Sequence, residues 1–140
     1  MSAMSENCRH DRAAVDGEHR MQIELIEALQ ASLQNPAQPP GSAALMEQLR
    51  SFCAAHFMSE ELLMRLCAYP DYDDHAADHE RTLETLTAIE PMLQEDVAGV
   101  GDKLAEIKSF LSAHIRSRDA AFTDYYRRWS DLGSGDQIME

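Results

Sequence analysis

The chain has 140 residues, 44% of them hydrophobic, and a formal net charge of −13. That length supports one domain with one core, and so acidic a chain argues against nucleic-acid binding, because a phosphate backbone would be repelled. No apolar run approaches the ~18 residues of a membrane span, and the polar start from Met1 to Cys8 has no secretory h-region, so a cytoplasmic location is expected.

Residues 1–15 are polar and mixed in charge and read as a loose N-terminal arm. Asp16 offers an N-cap to a first helix whose apolar stripe is Ile23, Ile26, Leu29 and Leu33. The breaker-rich stretch from Asn35 to Gly41 ends it. Ser42 offers a cap to the second helix, with a buried face of Leu45, Leu49, Phe52, His56, Glu60, Leu63 and Cys67. Two ionisable groups, His56 and Glu60, therefore stand inside an apolar stripe. Tyr69-Pro70-Asp71 breaks that helix, and the acidic run Asp71 to Asp74 favours a third helix N-terminus. The inner face of the third helix reads His75, His79, Leu83, Leu86, Ile89 with Glu90, and Leu93, and Pro91 kinks or ends it. Glu95 to Gly101 reads as a turn and Asp102 as the cap of a fourth helix. That helix carries Leu104, Ile107, Leu111, His114, Arg118 with Asp119, Phe122, Tyr125 and Trp129 along one side. Ser130 to Glu140 reads as a frayed tail. Four helices joined by short loops favour antiparallel neighbours. The expected fold is all-α, an up-down-up-down antiparallel four-helix bundle over residues 16–130, with the arm at 1–15 and a tail at 131–140.

The three cysteines are Cys8, Cys53 and Cys67, and an odd number argues against a disulfide framework. Cys53 and Cys67 share one predicted helix, about 21 Å apart at ~1.5 Å per residue, too far to pair. Both are expected as small buried hydrophobes.

His56 with Glu60, and His75 with His79, are pairs four residues apart, so each pair shares a helical face. The first and fourth helices add His19, His114 and Asp119. The five-residue step from His114 to Asp119 is off the common face by about 140°. A local π-turn would restore it and is predicted there. Any one of these residues alone reads as a satisfied core histidine or a surface pair. Together they do not, because burying five imidazoles and two carboxylates without metal would be very costly. His10 lies outside the pattern as an exposed bystander.

Imidazole and carboxylate without thiolate suit iron, manganese or zinc, and a structural zinc site would favour cysteine. Seven ligands are too many for one ion. With two six-coordinate ions, five histidines, two bridging carboxylates and a bridging oxide or hydroxide fill every position but one. One vacancy beside a second redox-active ion is a site that can take up and release dioxygen. The Glu-x-x-His pattern of ferritin-like sites and the His-Glu-x-x-His of zinc proteases are absent. A phosphotransfer histidine domain would leave four histidines unexplained.

The segments Asp16-Gly-Glu-His19, His56-Phe-Met-Ser-Glu60-Glu61, His75-Ala-Ala-Asp-His79-Glu80 and His114-Ile-Arg-Ser-Arg-Asp119 resemble the hemerythrins, in particular the bacterial ones, over roughly residues 16–125. The resemblance implies a non-haem, oxo- or hydroxo-bridged pair of iron ions with dioxygen as ligand. His75, His79 and His114 would bind the saturated iron, His19 and His56 the iron with the vacancy, and Glu60 and Asp119 would bridge the two. It also implies an apolar oxygen pocket, with Phe57, Phe110, Leu111 and Ile115 at matching positions. A dry pocket keeps water and protons from the bound ligand, so that it leaves as dioxygen. Two residues depart from the pattern. Phe110 stands where tryptophan is usual, and Gln22 is polar where an apolar residue is usual. Gln22 would either hydrogen-bond the ligand or admit water and speed autoxidation. The expected function is reversible dioxygen binding for storage or delivery, without enzymatic turnover. The alternatives are an oxygen or redox sensor acting on a signalling or oxygen-consuming partner, and an enzyme with peroxide or nitric oxide chemistry at the same vacancy. Glu61, Asp78 and Glu80 are expected to face solvent or support the ligands, and Tyr125, Tyr126 and Trp129 to serve packing.

Overall fold

Helix lengths follow the breakers. In the computed structural model, which describes the backbone of residues 2–35 and 41–139 and the side chains of 16–35 and 41–132, α1 spans Ser2–Gln34 and α2 Ser42–Leu66. Between them, Pro36 to Pro40 lies outside the described residues. α3 spans Tyr72–Ile89 and passes into a 3-10 turn, Glu90–Met92, at Pro91. α4 spans Val97–His114 and α5 Ala120–Met139, the two forming one rod through an intervening π-turn. Among the described residues there is no strand. α1 packs on α2 and α4, and α3 packs on α2 and α4. Consecutive rods are therefore neighbours around a closed ring, the arrangement of an up-down-up-down bundle. Among the described residues no helix is long and apolar enough to cross a membrane.

Several helix ends differ from the expectation. α1 is already helical at Ser2, so Asp16 is interior rather than a cap. The stretch 2–15 has no glycine or proline and carries Ala3, Met4, Glu6, Ala13 and Ala14, which favour helix. Its side chains, including Cys8 and His10, lie outside the described residues. α5 likewise continues to Met139 through the expected tail. α2 begins after Gly41 with no side-chain cap. The Ser42 hydroxyl pairs instead with that of Ser32 at 2.9 Å, which ties α1 to α2. α4 starts at Val97, inside the expected turn, and is capped by Asp96 rather than Asp102. The Gly99 N–H donates to Asp96 Oδ1 at 3.0 Å. A Cβ at Gly99 would meet Asp96 Oδ2 at 2.3 Å, so a larger residue there would displace the capping carboxylate. α2 ends in a left-handed turn at Ala68, φ 50°, where the Tyr69 N–H donates to Met64 O at 2.9 Å. The Tyr125 hydroxyl donates to Cys67 O at 2.8 Å and holds that turn against α5.

The apolar interior is divided in two. One cluster holds Ile26, Leu29, Met46, Leu49, Leu86 and Leu104 with their neighbours. The other holds Met64, Cys67, Tyr69 and Phe122, with Tyr125, Tyr126 and Trp129 packed on it. Along α2, α3 and the α4–α5 rod, a layer of histidine and carboxylate separates the two. Each fully buried Leu or Ile contributes roughly 1.5–3 kcal/mol, so both ends of the bundle clamp this polar layer. Two stripes are rotated from their expected centres. On α1 the buried line is His19, Gln22, Ile26, Leu29 and Ser32, with Ile23 and Leu33 on its flank. On α2 it passes through Cys53 and Met64, not Phe52 and Leu63.

Candidate metal centre

Each ligand-type side chain reaches the interior because of its register on a rod. His19 comes from α1, His56 and Glu60 from α2, His75 and His79 from α3, His114 from α4. Asp119 closes the π-turn Ile115–Asp119, the widened turn that the His114 to Asp119 spacing demands. All seven residues are at most 8% exposed. Their donor atoms form two groups, each within 4.8 Å of one another: Glu60, His75, His79, His114 and Asp119, and His19, His56, Glu60 and Asp119. Glu60 and Asp119 belong to both.

The contacts within the layer are close. His75 Nε2 lies 2.9 Å from Glu60 Oε1 and 2.8 Å from Asp119 Oδ1. His79 Nε2 lies 3.0 Å from Glu60 Oε1, His114 Nε2 3.0 Å from Asp119 Oδ1, and His19 Nε2 2.9 Å from Asp119 Oδ2. The Nε2 atoms of His19, His79 and His114 are nevertheless out of line for a hydrogen bond, and that of His56 has no partner. His75 Nδ1 and Asp119 Oδ1 are also buried and unsatisfied. A buried polar atom without a partner costs about 1–3 kcal/mol. Nitrogens and carboxylate oxygens gathered this way fit a bound metal cation.

Without metal, the charges settle on one another. Burial by itself would raise the Asp119 carboxyl, but His114, His19 and His75 hold it far below the usual carboxylate range. Burial also works against Glu60, and the His75 and His79 imidazoles beside it outweigh burial and lower it. Burial disfavours the His75 cation, yet Asp119 and Glu60 push its pKa up to about 9. The same balance, with Asp119 as chief partner, raises His114.

Behind the histidines stands a set of carboxylates. Glu18 Oε1 accepts from His56 Nδ1, Glu61 Oε2 from His79 Nδ1 at 2.8 Å, and Asp78 Oδ2 from His114 Nδ1 at 2.9 Å. Such partners fix the tautomer and leave Nε2 as the inward lone pair. Arg118 Nε in turn holds Asp78 Oδ2 at 2.8 Å. Glu61 and Asp78 therefore orient His79 and His114, whereas Glu80 is exposed. Glu18 escaped the sequence reading. Its one available signal was its place beside His19, about 100° round the helix and so on the flank of the same face.

The five expected pocket residues separate. Phe57 is 2% exposed and stacks on the His79 ring at 4.0 Å. Leu111 is 1% and Gln22 1% exposed. Phe110 and Ile115 are only half-buried and belong to neither apolar cluster. The Phe110 ring carries the Arg81 guanidinium 4.5 Å from its centroid, so this position is drawn toward the α3 surface. Gln22 Nε2 donates to Cys53 Sγ at 3.5 Å. Burial pushes the Cys53 thiol up to about 11, against the opposing bond from Gln22. Cys53 and Cys67 are both free and buried. A surface groove of about 620 Å³ reaches His79 beside Glu61, Glu80, Leu83 and Glu84, and none of the five expected pocket residues lines it.

The family model of the hemerythrin HHE cation binding domain matches residues 10–125. Two relatives, each named bacteriohemerythrin, come from Pseudomonas paraeruginosa and Pseudomonas aeruginosa. Each is 30% identical over 116 residues, covering 81% of this chain and 73% of the relative. No solved structure matches. With its four-helix bundle and its buried layer of histidine and carboxylate, the chain belongs to the hemerythrin family.

Proposed function

We propose that this centre holds two iron ions and binds dioxygen reversibly, for storage or delivery. The observation that carries the reading is the inequality of the two donor groups. Five side chains surround one position and four the other, with Glu60 and Asp119 common to both. The ion beside His19 and His56 is thus one protein ligand short of its neighbour. When bound, iron supplies a reversible change of oxidation state and an open position for a small ligand. The chain does the rest. Glu18, Glu61 and Asp78 hold three imidazoles in one tautomer. Phe57 and Leu111 wall the site with hydrocarbon and exclude water.

Metal analysis of the purified protein should find about two irons per chain and little zinc. A visible absorption band should appear with air and vanish under vacuum. Rapid conversion to a stable oxidised form with peroxide turnover would refute the carrier reading. The buried amide of Gln22, at 1% exposure, is the observation favouring that second reading, a di-iron enzyme of peroxide or nitric oxide chemistry.

A further inference from the structure

Gln22 is an anomaly in its surroundings. It is 1% exposed, and the buried residues around its level of the bundle are Ile26, Cys53, Phe57 and Leu111. A glutamine amide offers two N–H donors and an acceptor oxygen. Among the described residues Gln22 makes one hydrogen bond, to the weak acceptor Cys53 Sγ at 3.5 Å. A leucine would fill the space without the desolvation of an amide, so retaining the amide there costs stability. Its place in the fold supplies a use for the second N–H. Gln22 lies three residues beyond His19 on α1, and Cys53 three residues before His56 on α2. The pair bridges the two helices one turn from both histidines of the four-donor group. The rings of that group stand 5.2 Å apart, while His75, His79 and His114 come from the other two rods.

We propose that Gln22 selects the ligand of this centre, donating an amide N–H to whatever occupies the open position beside His19 and His56, with Cys53 as the positioning residue that orients the amide. The inference rests on the di-iron reading above and deepens it. The ligand class is small anions able to accept a hydrogen bond, and azide is the probe.

The test uses iron-loaded, oxidised full-length protein titrated with azide by its charge-transfer absorption. Q22M keeps the volume and removes the donor. Its azide affinity should fall about tenfold, with iron content unchanged. C53A should weaken azide binding several-fold, and C53S, which still offers an acceptor, should restore it. The resonance Raman band of bound azide in the wild-type protein should shift in D2O and lose that shift in Q22M, which a merely structural tie between α1 and α2 would not produce. Equal azide affinity in Q22M and wild type at equal iron content overturns this inference alone, as does a wild-type azide band indifferent to D2O. A wild-type protein that does not hold two irons overturns the underlying reading as well.

Discussion

Removing the carboxylate of Asp78 isolates what the outer support of the centre contributes. Asp78 Oδ2 accepts from His114 Nδ1 at 2.9 Å and from Arg118 Nε at 2.8 Å. His114 is 4% exposed, so Asp78→Ala leaves a buried N–H with no acceptor, at about 1–3 kcal/mol. The Arg118 side chain is 40% exposed, and its lost pair adds about 0–1 kcal/mol at most. The metal-free variant should therefore lose about 1–3 kcal/mol of unfolding free energy in urea. The metal-bound protein should lose more than fold stability. The freed imidazole loses orientation and basicity, which typically costs about 10–100-fold in metal affinity, or about 1.4–2.8 kcal/mol. Chelator competition on the loaded protein measures this, and the ion bounded by His75, His79 and His114 should leave first. Asp78→Asn, which keeps an oxygen acceptor, should recover much of the metal-free loss. Glu80→Gln, two residues away and exposed, should change neither quantity. Metal retention equal to wild type in Asp78→Ala would sink the argument that this carboxylate works through His114.

Three further outcomes are expected. His19→Ala should cut the metal content from about two ions per chain to about one, because the five-donor group does not include His19; elemental analysis after gel filtration reads it, and two retained ions would refute the division into groups. Ala68→Gly should raise the thermal midpoint, since an L-residue at φ 50° pays about 1 kcal/mol that glycine avoids; a lower midpoint contradicts it. Metal-free protein should lose stability as pH rises. The His75 pKa is raised to about 9 in the fold, so its contribution is full below the unfolded value of about 6.5 and gone above the folded one. The lowered Asp119 and Glu60 act in the opposite sense, contributing above about pH 4 and losing that contribution in stronger acid. Urea midpoints across pH should therefore be highest between these limits, and a midpoint that climbs from pH 7 to 10 contradicts the assignment.

Much of the centre was legible from local rules. Histidine and carboxylate spaced four apart share a helical face wherever the helix packs, so His56 with Glu60 and His75 with His79 were fixed as pairs before any packing was known. The five-residue step to Asp119 left a π-turn as the way to keep both side chains inward, and Ile115–Asp119 forms one. Chemistry of the donors, without thiolate, narrowed the metal.

What the chain could not announce is how far each rod turns about its own axis. α1 has apolar residues on both sides of Gln22, and a pattern of period 3.6 fits a stripe centred on Ile23 almost as well as one centred on Gln22. Packing against α2 and α4 decided for Gln22 and brought it to Cys53. The same rotation placed Glu18 behind His56. It is likewise the tertiary arrangement that set Phe110 under Arg81 instead of in the interior. Which histidines and carboxylates share a face is a property of one helix and its periodicity, readable along the chain. The groups that hold, orient and wall those side chains belong to other helices, and their meeting depends on interhelical packing, which a one-dimensional pattern does not encode.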